Sequence, residues 1–381
     1  MGHGRPPQSK RARASNGESA VTPVIGAILI LAISVLGIAG VLYWGAPTLE
    51  RIQAGNAQSA MVGEFEDLRA ATRELSVPDH SRFPTVVVPG GELQIQKGSR
   101  IMVTTDHDST HPTCDLRVTK WADTTDPTRF TLSTTGCRTT LFMSGTHTGA
   151  NEAVLEVLAV SGPTTTARTV TSVGGGVYSV AGANFAAGDW LFRLSNGATP
   201  LVVYSQAWLH SGDQIRWDLG SGAGEYGIHL DAGTLFSRRQ GTLFLERDAS
   251  IGDSSFGTDY YGLWLRTLTA DRYSGITGAG SHQVYLSLLG NAVRVDEPGV
   301  YNLRYDISGD LAQSWCNALV VRNTSLVGAS YTSTPNAACA GDVDGVRSIR
   351  FQRADGADAG TDPDPFAFRM LHARIYASLS V

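Results

Sequence analysis

The stretch that most constrains this chain is AVTPVIGAILILAISVLGIAGVLYWGAP, residues 20–47. From Val24 to Trp44 it runs for 21 residues with Ser34 as its one strongly polar side chain, and no charged residue occurs between Glu18 and Glu50. A helix rises about 1.5 Å per residue, so this run makes a rod about 30 Å long, the thickness of a bilayer core. A secretory signal has a shorter apolar region, roughly 7 to 15 residues, closed by a small-x-small cleavage site. Here the run ends in Tyr43-Trp44, a pair suited to the membrane interface. Thr22 is placed to cap the first turn and Pro23 fits the first helical position. The sequence therefore predicts a transmembrane helix that starts sharply and stays.

Arg5, Lys10, Arg11 and Arg13 precede the run, with Glu18 as the only acid before it. By the positive-inside rule the N-terminus is cytoplasmic and the rest of the chain lies outside, at the cell membrane and cell surface. Four scattered charges in a Gly/Pro/Ser-rich segment read as a topology signal and not as a nucleic-acid patch. Of 30 Lys+Arg and 35 Asp+Glu, residues 1–20 hold four and one, which leaves 26 against 34 and a net of −8 for the remainder. That balance gives no general attraction to nucleic acid or anionic lipid, so no nucleic-acid partner is expected.

Pro47 marks a break, after which residues 48–75 continue in helical style. Met61, Phe65, Leu68 and Leu75 form one apolar stripe among Glu64, Glu66, Asp67, Arg69, Arg73 and Glu74, an amphipathic helix that docks on its own β-region or on neighbouring copies. From Val77 onward the period changes to two. ELQIQKGSRIMVTTD, RFTLSTTG, DWLFRLSNG, DQIRWDLGSG, GTLFLERD and RSIRFQR alternate apolar and polar residues between turn residues. QVYLSLLGNAVRVDEPGVYNLRYDIS reads as an antiparallel unit turned at Gly290-Asn291 and Pro298-Gly299, and LHARIYASLSV as a closing strand. The fold class expected is mainly β: a transmembrane helix, an amphipathic helix, then antiparallel β-sandwich or jelly-roll-like structure outside the cell. The Gly-rich GSGAGEYG near residues 220–227 suggests a division into β-domains 76–224 and 225–381, behind a leader 1–20 and helices 21–47 and 48–75.

The four cysteines, Cys114, Cys137, Cys316 and Cys339, fall in two pairs, each separated by 22 residues. In an exported chain an even count reads as disulfides, and the absence of Cys-x-x-Cys argues against zinc-binding cysteines. Four cysteines allow three connectivities; the local pairs 114–137 and 316–339 close within one domain, each worth roughly 3 kcal/mol by loop entropy.

Ala20-Val21-Thr22-Pro23-Val24-Ile25-Gly26, followed by a long uncharged helix and then a polar one, resembles the N-terminal signature of archaeal type IV pilins and pilin-like proteins, with Thr for the usual Ser. The resemblance covers roughly residues 18–75 and implies cleavage by a prepilin peptidase between Ala20 and Val21. It also implies packing of the hydrophobic helices with other pilin subunits or copies of this chain, and display of the β-region on a filament. A β-region larger than a typical major pilin head implies a minor subunit or adhesin. Small residues at Gly26, Ala27, Ala32, Ser34, Gly37, Ala39 and Gly40 suit close helix approach in a membrane.

Other candidates come from local composition. Two acidic clusters are metal candidates, Asp106, His107, Asp108 and His111 in one, and Asp342, Asp344, Asp355 and Asp358 with Asp362 and Asp364 in the other; oxygen-rich loops of the second kind suit Ca²⁺, but neither completes a calcium-loop pattern, and solvated turns explain both more cheaply. No other cofactor is expected. Asn323-Thr324-Ser325 is the sole glycosylation sequon. Tyr260-Tyr261, Trp264 and Trp315 either stack on surface glycans or fill the core. No hydrolase elbow, zinc-protease motif, P-loop or dinucleotide fingerprint occurs, so no enzyme is expected. The alternatives are an anchored ligand- or carbohydrate-binding protein and, behind it, a tethered hydrolase whose carboxylates have no recognisable spacing.

Overall fold

The computed structural model describes residues 21–75, 80–107, 115–121, 128–135, 140–147, 152–220, 225–247, 260–290, 292–326, 331–333, 339, 346–353 and 365–380. The chain divides into two compact units, Met1–Gln53 and Ala54–Val381. Helix α1, Val21–Glu74, supplies residues to both.

In the first unit every Val, Ile and Leu side chain from Val24 to Leu42 is more than half exposed. This segment is the one helix among the described residues that is long and apolar enough to cross a membrane, with a mean hydropathy of 2.8 over its most apolar window. Its single polar side chain is satisfied internally, because Ser34 Oγ donates to the Ile30 carbonyl at 2.8 Å. The sequence marks a break at Pro47, whereas the helix continues through it. Proline removes one backbone donor and crowds the preceding turn. Such a defect is tolerated where nearby polar groups meet the freed backbone, and the Thr48 hydroxyl adds a donor at this turn, 3.1 Å from the Trp44 carbonyl.

In the second unit the other half of α1 docks on β-structure. Met61, Phe65 and Leu68 are fully buried and Leu75 nearly so, against Ile95, Ile215, Trp217, Leu235, Leu286 and Ile375. Each such side chain contributes about 1.5–3 kcal/mol relative to exposure. Polar clamps set the helix's register: Arg69 Nε donates to the Gly233 carbonyl at 2.9 Å, Gln58 Nε2 to that of Arg238 at 3.1 Å, and Glu64 accepts the Val87 N–H at 3.0 Å. The amphipathic stripe thus serves the chain's own β-region.

Among the described residues that region is a 19-stranded mixed sheet with a separate four-stranded antiparallel one. Its frame is four strands, Glu92–Asp106, Val203–Leu219, Tyr260–Thr269 and Phe366–Ser380. The first pairs with the second along nearly its whole length, and the third runs parallel to the fourth. Three cores form around them. One holds Ile101, Val103, Trp208, Leu263, Leu265, Phe368 and Met370 beneath helix α2, Ala312–Leu326. The second lies under α1, and the third places Phe192, Ala207 and Leu209 against Phe130 and Phe185.

The strands change faces between cores. In Phe366–Ser380, Phe366, Phe368 and Met370 point into the first core, but Ala373, Ile375 and Ala377 point into the second. The first two strands make the same exchange around Gly98 and Gly212, where their register shifts. A Cβ at Gly98 would lie 2.6 Å from Asp231 Oδ1 and 2.9 Å from the Asp213 carbonyl carbon, and one at Gly212 would lie 2.9 Å from Thr267 Cβ. Only glycine permits these approaches.

Two expectations about connectivity are corrected. Gly280–Leu288 and Val293–Val300 do not form a hairpin; both pair antiparallel with the last strand, one after the other along the same edge. Gly290 and Gly299, at φ 67° and 73°, make irregularities in a continuing edge instead of reversals. A positive-φ glycine serves a bulge as well as a turn, which is why the local pattern misled. Val203–Leu219 and Tyr226–Asp231, on either side of the Gly-rich stretch, pair antiparallel, and both belong to the compact unit Ala54–Val381. The sheet is also not purely antiparallel, since Thr140–Phe142 pairs parallel with Glu152–Ser161 in addition to the parallel pair in the frame.

Cys316, buried in the first core on α2, is bonded to Cys339, with a Cα–Cα distance of 5.6 Å. Cys114 and Cys137 lie outside the described residues.

His229 makes this packing sensitive to acid. It is 1% exposed, with Nδ1 at 3.0 Å from Gln214 Oε1. Burial, then the charges of Arg216 and Arg238, push its pKa down to about 3. The folded chain therefore keeps it neutral while the unfolded chain protonates it below about pH 6.5. Its contribution to stability is complete above that pH and is lost as pH falls from about 6.5 toward 3, because the unfolded state binds the extra proton. Replacing His229→Gln should flatten the fall in melting temperature between pH 7 and pH 4; a slope equal to that of the parent chain would refute this assignment.

Candidate functional site around Asp189, His210 and His372

Where the strands exchange faces, their side chains cannot all be apolar, and a charged cluster fills the gap. Asp189, on Gly188–Ser195, sits directly opposite His210 on Val203–Leu219. His210 Nδ1 lies 3.1 Å from Asp189 Oδ1. From the last strand, His372 brings Nδ1 to 3.7 Å from Oδ2, and the two imidazole rings are 4.1 Å apart. Two residues on, Arg374 grips the same carboxylate as a fork, Nη2 to Oδ1 at 2.8 Å and Nε to Oδ2 at 3.0 Å, and also donates to the Ser211 carbonyl at 3.0 Å. His372 Nε2 is 2.8 Å from Thr267 Oγ1. Both histidines are 2% exposed, and His210 Nε2 is buried without a hydrogen-bond partner among the described residues.

Burial alone would raise the Asp189 pKa, but His372, His210 and Arg374 together hold it far below the ordinary carboxylate range. Burial pushes the His372 pKa down to about 3 despite the pull of Asp189. At neutral pH the cluster is an ionised carboxylate, its guanidinium partner and a neutral His372 imidazole. One nitrogen of each histidine and one carboxylate oxygen lie within 4.8 Å of one another, a donor set able to hold a metal.

The cluster opens on a cavity of about 520 Å³ lined by Gly162, Pro163, Leu289, Gly290, His372 and Arg374 among others. The interruption between the two edge segments forms one wall, with the Leu289 N–H bonded to the Arg374 carbonyl at 2.8 Å. A pocket of this size suits a small ligand with a few polar groups.

No family model, no curated protein and no solved structure matches the chain. Function must therefore be argued from these residues.

The sequence-derived candidates are distributed differently. Val21 to Gly26 form the first turns of α1, while Ala20 lies outside the described residues. Asp342, Asp344, Asp355, Asp358, Asp362 and Asp364 lie outside them too, as do Asp108 and His111. Asp106 is buried on Glu92–Asp106, and His107 Nε2 faces Glu297 Oε2 at 3.2 Å, in a second buried cluster where Thr105, Gln206 and Trp208 also donate to Glu297. Asn323 falls near the end of α2. Tyr261 and Trp315 are core residues, and the Trp315 indole donates to Asp231 at 2.8 Å; Trp264 is half-buried under the Arg266 guanidinium.

Asp189, His210, His372 and Arg374 escaped sequence reading because two neighbouring strands supply the first two and the last strand, more than 160 residues on, supplies the others. A signal was present in one of these strands: in FAFRMLHARIYASLS the apolar alternation slips phase at His372. A phase slip inside a long strand marks a change of buried face.

Removing one partner of a buried ion pair leaves the other uncompensated and costs about 3–5 kcal/mol. Arg374→Ala should therefore destabilise the chain by about that much in chemical denaturation, while Arg294→Ala, from an exposed pair with Asp296, should cost under about 1 kcal/mol. Equal losses would show that the Asp189 pair is not a structural tie.

Proposed function

We propose that this chain is a membrane-inserted, pilin-like surface protein of archaeal type, a minor subunit or adhesin whose β-region is displayed outside the cell. One observation carries the reading: a single helix opens on Thr22-Pro23-Val24-Ile25-Gly26, leaves its apolar first half wholly exposed, and buries the stripe of its second half in the chain's own β-region. An exposed apolar surface of this length calls for lipid or other helices to cover it, which supports the reading. In this reading the basic leader stays in the cytoplasm, a prepilin peptidase cuts between Ala20 and Val21, and the helices of neighbouring subunits pack side by side. The Cys316–Cys339 bond suits an oxidising location outside the cytoplasm.

The cavity beside Asp189 favours a second use of the same architecture, a single-pass anchor that presents a ligand pocket without entering a filament. Protein isolated from native membrane and surface fractions separates the two. A mature chain beginning at Val21 supports processing and assembly; a retained leader refutes them and leaves the anchor. The helix offers a second test, because a Cβ at Gly37 or Gly40 meets nothing within 4 Å among the described residues. Gly37→Leu with Gly40→Leu should leave insertion and β-region stability unchanged and abolish filaments; normal filaments would show that this face makes no subunit contact.

A further inference from the structure

We propose that Asp189, His210 and His372 bind one divalent transition-metal ion of the zinc type, with an open coordination position facing the cavity beside Gly162 and Gly290. The donor types favour an imidazole-seeking cation over calcium, which takes oxygen ligands. The spacing is close: tetrahedral zinc, with bonds of about 2.0–2.2 Å, separates neighbouring ligand atoms by about 3.3–3.6 Å. Asp189 Oδ1 lies 3.1 Å from His210 Nδ1 and Asp189 Oδ2 3.7 Å from His372 Nδ1, and one oxygen with one nitrogen from each ring lie within 4.8 Å of one another, so the three ligands reach tetrahedral spacing only by closing in on the ion.

Two further features go beyond the cluster itself. Metal-binding histidines are held by a hydrogen bond at their other nitrogen, and Thr267 Oγ1 occupies that place on His372 Nε2 at 2.8 Å. His210 Nε2, on a residue 98% buried, has no hydrogen-bond partner among the described residues, as His229 Nε2 has none, so with Nδ1 on the ion the His210 ring lacks the outer tie that Thr267 gives His372. Arg374 does not compete for the same electrons. Its fork takes one lone pair on each carboxylate oxygen, and a carboxylate has about four such sites, so the pairs facing the histidines remain available. Because Arg374 already neutralises Asp189, the bound ion would carry its charge into a buried place. That favours a hydroxide or small anion in the open position, reached through the cavity of about 520 Å³.

The test uses the full chain in detergent, stripped of metal and then titrated with zinc chloride. One equivalent of Zn²⁺ should survive dialysis and raise the melting temperature, and Co²⁺ should give the intense visible bands of a four-coordinate site. His210→Ala and His372→Ala should weaken binding by at least about 100-fold, and the near-isosteric Thr267→Val, which keeps every proposed ligand, by about 10- to 100-fold. Should the histidine variants fail to fold, the cobalt spectrum of the parent chain and the Thr267→Val affinity decide the matter. Retention of no zinc above the dialysis buffer, or affinities unchanged in folded variants, would overturn the proposal. None of these readouts depends on filament assembly.

Discussion

The β-region depends on one constraint: its long strands bury one face in one core and the opposite face in another. A strand cannot make this exchange without a short stretch in which both faces are compromised. Here that stretch holds Gly98, Gly212, Ser211, Asp213, Thr267, His372 and Arg374, with Asp189 and Asp231 beside them. The glycines admit backbones that would otherwise collide, and the polar side chains satisfy one another. Asp231, for example, accepts from the Ser99 N–H and the Trp315 indole, and its pKa is raised chiefly by burial. Charge inside the fold is thus a consequence of how the cores are arranged.

The same constraint explains why the charged cluster borders a cavity. At the exchange the edge opposite the last strand is interrupted between Leu288 and Val293, and His372 and Arg374 there contribute to the lining of the cavity. Ordered polar groups next to an opening are a common setting for binding sites. The pocket is consequently a by-product of topology that chemistry can exploit, and this chain places two imidazoles and a carboxylate there.

Helix α1 carries two hydrophobic patterns in one element. Its first half has apolar residues all round, the signature of a helix designed for hydrocarbon or for other helices, and its second half has a single stripe, the signature of a helix on a globular surface. Continuity through Pro47 makes them one structural element despite the change in character. Legibility followed this difference. The apolar run and the Met61–Phe65–Leu68 stripe were plain in the sequence, because both are patterns within one helix. Most strand positions were plain too, Glu92–Asp106 and Thr242–Arg247 among them, because alternation is also local. The hairpin expected at Gly290-Asn291 failed because a glycine with positive φ marks a turn or a bulge equally, and only the partner strand distinguishes them.

By itself the sequence determined the elements: an uncharged helix long enough for a bilayer, an amphipathic continuation, and a β-rich remainder with cysteines placed for local disulfides. Tertiary structure alone decided which strands became neighbours, where the cores exchange faces, and that Asp189, His210, His372 and Arg374 meet. The physical reason is range. Periodicity and turn chemistry act over a few residues and are written in order along the chain, whereas the cluster joins positions 21 to 185 residues apart through pairings set by the burial of whole faces.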